Sequence, residues 1–102
     1  MELVETPIFT RQVTAQLAAE SYRAFQLHLL INPEVGPIIP RSGGLRKIRW
    51  SMPGRGKRGG IRVIYYWRAA TNRLFLLFLY PKNVQSDLTP LQLKVLRELI
   101  SD

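Results

Sequence analysis

The cations of this chain are concentrated in one stretch. Between Arg41 and Arg62 it carries Arg41, Arg46, Lys47, Arg49, Arg55, Lys57, Arg58 and Arg62, and no acid. Within that stretch, Gly54-Arg55-Gly56-Lys57-Arg58-Gly59-Gly60 sets three cations on a glycine-rich loop. Glycine lets a backbone approach a phosphate closely and turn its N–H groups toward it. Arginine adds planar bidentate donors, and lysine a point charge. Two readings fit: a loop that takes a polyphosphate, or a solvated hairpin between strands. The phosphate-loop pattern Gly-x-x-x-x-Gly-Lys-Ser/Thr and the dinucleotide glycine fingerprint are both absent. Arg62 stands in the otherwise apolar run from Ile61 to Trp67, where alternation gives it a face shared with Ile64 and Tyr66. Lys82 follows Tyr80-Pro81 at the end of a second apolar run, and a strand end is a rigid place from which to aim a side chain.

The whole chain is basic, with 15 Lys and Arg against 7 Asp and Glu and a formal net charge of +8. Such a body attracts polyanions over roughly a Debye length, about 8 Å at physiological salt. Nucleic acid, an anionic membrane and an acidic protein all satisfy that attraction. Trp50, Tyr65, Tyr66, Trp67 and Tyr80 lie near the cations in sequence; their rings either stack on unpaired bases or fill a core. A single histidine, His28, and no cysteine leave no zinc ligand set, no disulfide and no thiol nucleophile. No Ser-His-Asp set assembles either. RNA, however, supplies its own nucleophile, the 2′-hydroxyl. A protein cleaves it without metal or cofactor by aligning that group, stabilising the added phosphate charge and handling two protons. Arg62 and the loop cations are candidates for the charge stabilisation. Lys57 or Lys82, its pKa lowered among other cations, is a better proton carrier than any arginine.

These residues need a scaffold, and 102 residues provide about one domain, spanning 1–102. Leu3 to Phe9 is predicted as a strand, with Thr10 as the N-cap of a short helix over Arg11 to Ala19. Tyr22, Phe25, Leu29 and Leu30 recur at helical spacing, and Asn32-Pro33 stops that second helix. Residues 33–44 form a loop stiffened by Pro33, Pro37 and Pro40. From Leu45 the period becomes two, with a slip near Lys47 that predicts a bulge there. Ile61–Trp67 and Leu74–Tyr80 are predicted as strands joined by a tight turn at Thr71-Asn72-Arg73. Thr89-Pro90 caps and opens a last helix with Leu93, Leu96 and Ile100 on one face. The fold class is therefore α+β, in the order β-α-α-β-β-β-α, with helices flanking a small antiparallel sheet. The acidic opening Met-Glu-Leu-Val-Glu is unlike a signal peptide, and no apolar run reaches the roughly 20 residues that span a bilayer. A cytoplasmic protein with no membrane partner is expected.

Three segments resemble the RelE superfamily of bacterial toxins, and within it the HigB-like branch. They are Gly43-Gly44-Leu45-Arg46-Lys47-Ile48-Arg49, Gly56-Lys57-Arg58-Gly59-Gly60-Ile61-Arg62-Val63-Ile64-Tyr65-Tyr66, and Tyr80-Pro81-Lys82-Asn83 with Ser86-Asp87-Leu88-Thr89. The resemblance implies a RelE-like microbial ribonuclease fold that enters the ribosomal A site and cuts messenger RNA without a metal. It implies a cognate antitoxin, usually a helix-turn-helix protein, with operator DNA reached only through that partner. By position it implies Lys57, Arg62 and Lys82 as catalytic residues. Arg46, Lys47, Arg49, Arg55, Arg58, Tyr80 and Asn83 are expected to contact RNA. Val84 stands where many relatives carry an acid, and Pro81 where a small residue is common, which predicts an acid-free site. A non-catalytic RNA- or ribosome-binding module and a DNA-binding regulator are the competing readings. Against the latter, the second helix carries only Arg23 as a cation in the Tyr22 to Ile31 stretch, and no helix-turn-helix with a basic second helix is visible.

Overall fold

A computed structural model of the chain describes residues 1–51 and 60–101. The chain runs β1 (Glu2–Glu5), α1 (Pro7–Gln16), α2 (Ala19–Ile31), β2 (Arg46–Trp50), β3 (Ile61–Arg68), a 3₁₀ turn (Ala69–Thr71), β4 (Arg73–Pro81) and α3 (Pro90–Ile100). The expected order of elements holds. The sheet order is β1-β4-β3-β2. β2, β3 and β4 form the expected antiparallel meander, while β1 lies parallel to β4, so the sheet is mixed. Two reversals separate β2 from β4, which makes them point alike. The α1–α2 crossover carries the chain from β1 at one edge to β2 at the other, and the meander returns to β1.

The first strand and helix depart from expectation at their junction. β1 stops at Glu5, and the N-cap of α1 is Thr6 with Pro7 at the first helical position, instead of Thr10. Thr6 Oγ1 accepts from the Phe9 amide (3.1 Å) and donates to the Leu77 carbonyl (2.8 Å), tying the helix start to β4. This is the same Thr-Pro signature that opens α3, where Thr89 and Gln92 form a complete capping box.

Apolar side chains cover both faces of the sheet. On one face Ile48, Ile61, Val63, Tyr65, Leu74, Leu76 and Leu79 pack under Phe9, Val13, Phe25 and Leu29 of α1 and α2. On the other, Leu45, Ile64, Leu77 and Tyr80 pack with Leu96 of α3. The slip near Lys47 has a different origin from a bulge in β2. That strand pairs regularly with β3, but Leu45 faces α3 while Ile48 faces α1 and α2. The bulge falls between β3 and β4, where Ile64 pairs with Phe78 and Tyr65 with Leu76, leaving Leu77 as the extra residue. The turn before β4 uses Asn72 at φ 54°, a left-handed conformation that asparagine tolerates.

Candidate nucleic-acid interface

Register alone assembles the site. Arg49 of β2 pairs with Arg62 of β3, and Arg62 pairs with Tyr80 of β4. Directly paired residues share a face, so Arg49, Arg62 and Tyr80 form a row across three strands. Lys47, two residues from Arg49, lies on the same face opposite Ile64. Arg62 thus shares its face with Ile64 and Tyr66, as the alternation predicts. Like charges directly opposite one another destabilise a sheet. The fold nevertheless pairs two arginine positions in that relation, beside a lysine. Such a cluster is suited to an anion that bridges it.

Burial sharpens the picture. Arg62 is only 6% exposed, and its Nη1 donates to the Ile61 carbonyl at 3.3 Å. Tyr80 is only 2% exposed, and its hydroxyl has no hydrogen-bond partner among the described residues. Burial pushes the Tyr80 phenol above its ordinary pKa, the Asp87 charge adds to the rise, and Arg62 opposes it. The phenol therefore stays protonated at neutral pH and is a donor without an acceptor among the described residues.

From sequence, Asp87 reads only as part of the segment leading to α3. The structure brings it into this face: its Oδ1 accepts from Lys47 Nζ at 3.2 Å and from the Leu88 amide at 2.9 Å. The Leu88 amide, followed by Lys47, holds its carboxyl below the usual carboxylate range. The expectation of an acid-free site is thereby corrected. No spacing motif announces this carboxylate, because it meets Lys47 from 40 residues away. The strap that carries it is braced by Gln85, which donates to the Asp87 carbonyl and to Gln92 Oε1 (2.8 Å each).

The other expected site residues divide. The Lys82 amide donates to the Gly60 carbonyl at 3.0 Å, extending the β3–β4 ladder one position past Tyr80-Pro81, and its side chain is exposed. Asn83 follows it in an exposed turn. Arg46 does not join the row. It lies on the opposite face, donating to the carbonyls of Glu34 (3.1 Å) and Gly36 (2.8 Å), and so clamps the proline-rich loop. Arg55, Lys57 and Arg58 lie outside the described residues. Trp50 and Tyr65 belong to the core under α1 and α2, and His28 lies beside Trp50 at 5.8 Å, on the helical side. Among the described residues no group of His, Cys, Asp or Glu is arranged to hold a metal ion.

Fold and site together define a small α+β domain with a cation-lined sheet face flanked by helices. A family profile described as RelE toxin of the RelE / RelB toxin-antitoxin system matches residues 40–102, which contain every residue of that face. The chain belongs to this RelE toxin family, and is a toxin of the toxin–antitoxin class. Among solved structures it is similar to a double arginine-to-alanine mutant of the E. coli toxin RelE in the free state, with a TM-score of 0.60 at 12% sequence identity, covering 83% of this chain and 86% of that one. The family implies an antitoxin as partner. Among the described residues no helix is long and apolar enough to cross a membrane.

Proposed function

We propose that this chain, as one domain over residues 1–102, is an endoribonuclease that cuts messenger RNA in the ribosomal A site and thereby inhibits translation. The observation that carries the reading is the Arg49–Arg62–Tyr80 row with Lys47 beside it. Cleavage proceeds by attack of the 2′-hydroxyl on the adjacent phosphorus, without a metal or cofactor. Arg62 and Arg49 take the charge that grows on the non-bridging oxygens, where donors fixed in advance stabilise a transition state most. The Tyr80 phenol adds a neutral donor from beneath. Lys82, and Lys57 of the glycine-rich stretch, are the proton-transfer candidates. Arg55, Arg58 and Asn83 extend the contact along the RNA. The HigB-like branch, a helix-turn-helix antitoxin that alone contacts operator DNA, and a cytoplasmic location complete the proposal.

The test is induction of the wild type beside Arg62→Ala, with growth and message cleavage followed in each. Loss of one transition-state donor costs about 10²–10³ in rate. Arg62→Ala is therefore expected to restore growth and abolish detectable cleavage. Equal toxicity and cleavage from a folded Arg62→Ala protein would overturn the reading.

A further inference from the structure

The cation row explains how a phosphate is held and its charge met, but not where the attacking hydroxyl sends its proton. Among the described residues Asp87 is the one carboxylate on this face, and the lysines accept a proton only after losing one. Lysine carries only donors when protonated, arginine keeps its proton at any working pH, and the buried Tyr80 phenol is held protonated. Residues 52–59, Met-Pro-Gly-Arg-Gly-Lys-Arg-Gly, contain neither acid nor histidine, so they add no carboxylate or imidazole.

The other carboxylates are engaged elsewhere. Glu2 pairs with Arg73, Glu5 with Tyr22 and Thr10, and Glu34 with Arg46 on the opposite face. Glu20 lies in the first turn of α2, and Glu98 lines a hollow at the far end of α3 with Ser42 and Lys94. Asp102 lies outside the described residues.

Resting on the ribonuclease reading, we propose that the Asp87 carboxylate is the proton acceptor of this site. Its Oδ1 is fixed by Lys47 Nζ and the Leu88 amide, while Oδ2 has no partner among the described residues. The group is thus oriented by one oxygen and open at the other. Its side chain is 70% exposed, which leaves room for a ribose to approach. In the step, O2′ bonds to phosphorus as its proton passes to Asp87, and the P–O5′ bond breaks. The leaving O5′ takes a proton from an ammonium group, Lys82 in this reading. The products are a 2′,3′-cyclic phosphate and a 5′-hydroxyl, and exchange with water resets both residues.

Single-turnover cleavage of a defined message on translating ribosomes tests this with Asp87→Asn, which keeps an oxygen for Lys47 and Leu88, and with Asp87→Glu. Removing a general base costs about 10²–10⁴ in rate. Asp87→Asn is expected to lose that much while binding the programmed ribosome no more weakly, and Asp87→Glu to recover part of it. The residual Asn rate should rise about tenfold per pH unit as hydroxide replaces the missing base, against a nearly flat wild-type profile at neutral pH. Three results would overturn the assignment: an Asn variant as fast as wild type, one that is faster, or one whose loss lies wholly in binding. A wild type that cleaves nothing would instead sink the ribonuclease reading itself.

Discussion

Two buried tyrosines, Tyr65 and Tyr80, should respond to loss of the hydroxyl with opposite signs. The Tyr65 hydroxyl accepts from the Gly36 amide at 2.9 Å and donates to the Pro33 carbonyl at 2.8 Å. It pins the proline-rich loop to the centre of β3, and its ring edge lies so close that a Cβ at Gly36 would meet Tyr65 Cε1 at 2.9 Å. Tyr65→Phe leaves the Gly36 N–H buried with no acceptor, a loss of about 1–3 kcal/mol. Near the melting point of a domain this size, 1 kcal/mol shifts Tm by about 4–8 °C, so Tyr65→Phe should melt roughly 4–24 °C lower. Tyr80 carries the reverse arrangement. Its hydroxyl is buried without a partner among the described residues, so Tyr80→Phe removes a desolvated donor that stabilises nothing in the resting protein. Its Tm should stay or rise, while cleavage should fall by about ten- to a hundredfold, the worth of a hydrogen bond to a charged group. Thermal melts of the purified variants, read beside single-turnover cleavage, decide it. A Tyr80→Phe protein that melts as far below wild type as Tyr65→Phe would show that the Tyr80 hydroxyl is bonded within the resting protein. That hydroxyl would then not be a donor held ready for RNA.

Gly60 sits at φ 61°, and a Cβ there would collide with the Trp50 carbonyl oxygen. Gly60→Ala should therefore cost more than the ordinary 1 kcal/mol or so of a point substitution and lower the denaturant midpoint clearly. In alkali, burial holds Tyr65 and Tyr80 above the ordinary phenol value of 10.0, and burial with the Glu5 hydrogen bond and charge does so for Tyr22. The unfolded phenols ionise first, so the unfolded chain binds fewer protons and stability falls as pH rises beyond about 10. Denaturant titrations at pH 8 to 11 should show that decline, and Tyr22→Phe should flatten it.

Much of the scaffold is legible because its signals are local. The β-branched and aromatic run of β3 and the Thr89-Pro90 opening of α3 each lie within a few residues. The same kind of signal at Thr6-Pro7 belongs to α1, but the apolar run through Ile8 and Phe9 competes with it as a strand. Tertiary contact decides: the Thr6 hydroxyl is shared between the Phe9 amide and the Leu77 carbonyl. The parallel placement of β1 has no local signal, because it depends on where two helices deposit the chain. Arg62 is legible as a charge in an apolar strand. Arg46 is misleading, since its position in a basic run conceals a clamp on the Glu34 and Gly36 carbonyls. Asp87 is invisible from sequence as a site residue because a helix-leading acid has an ordinary reason to exist.

The arrangement of charges connects these points. The sheet pairs Arg49 with Arg62 in register and so sets two cations on one face. Burying Arg62 nearly completely raises the electrostatic stakes, because a charge in a low dielectric interacts more strongly with whatever approaches it. The Lys47–Asp87 pair is itself exposed, and surface ion pairs contribute about 0–1 kcal/mol. Its position matters more than its strength. It brings one carboxylate to Lys47, which shares its sheet face with Arg49 and Arg62. A strap braced by Gln85 and Gln92 and closed by the Thr89 capping box holds that carboxylate there. Strand register sets the cations and the strap before α3 sets the acid, so the proposed mechanism assigns phosphate binding and proton removal to different elements of the fold.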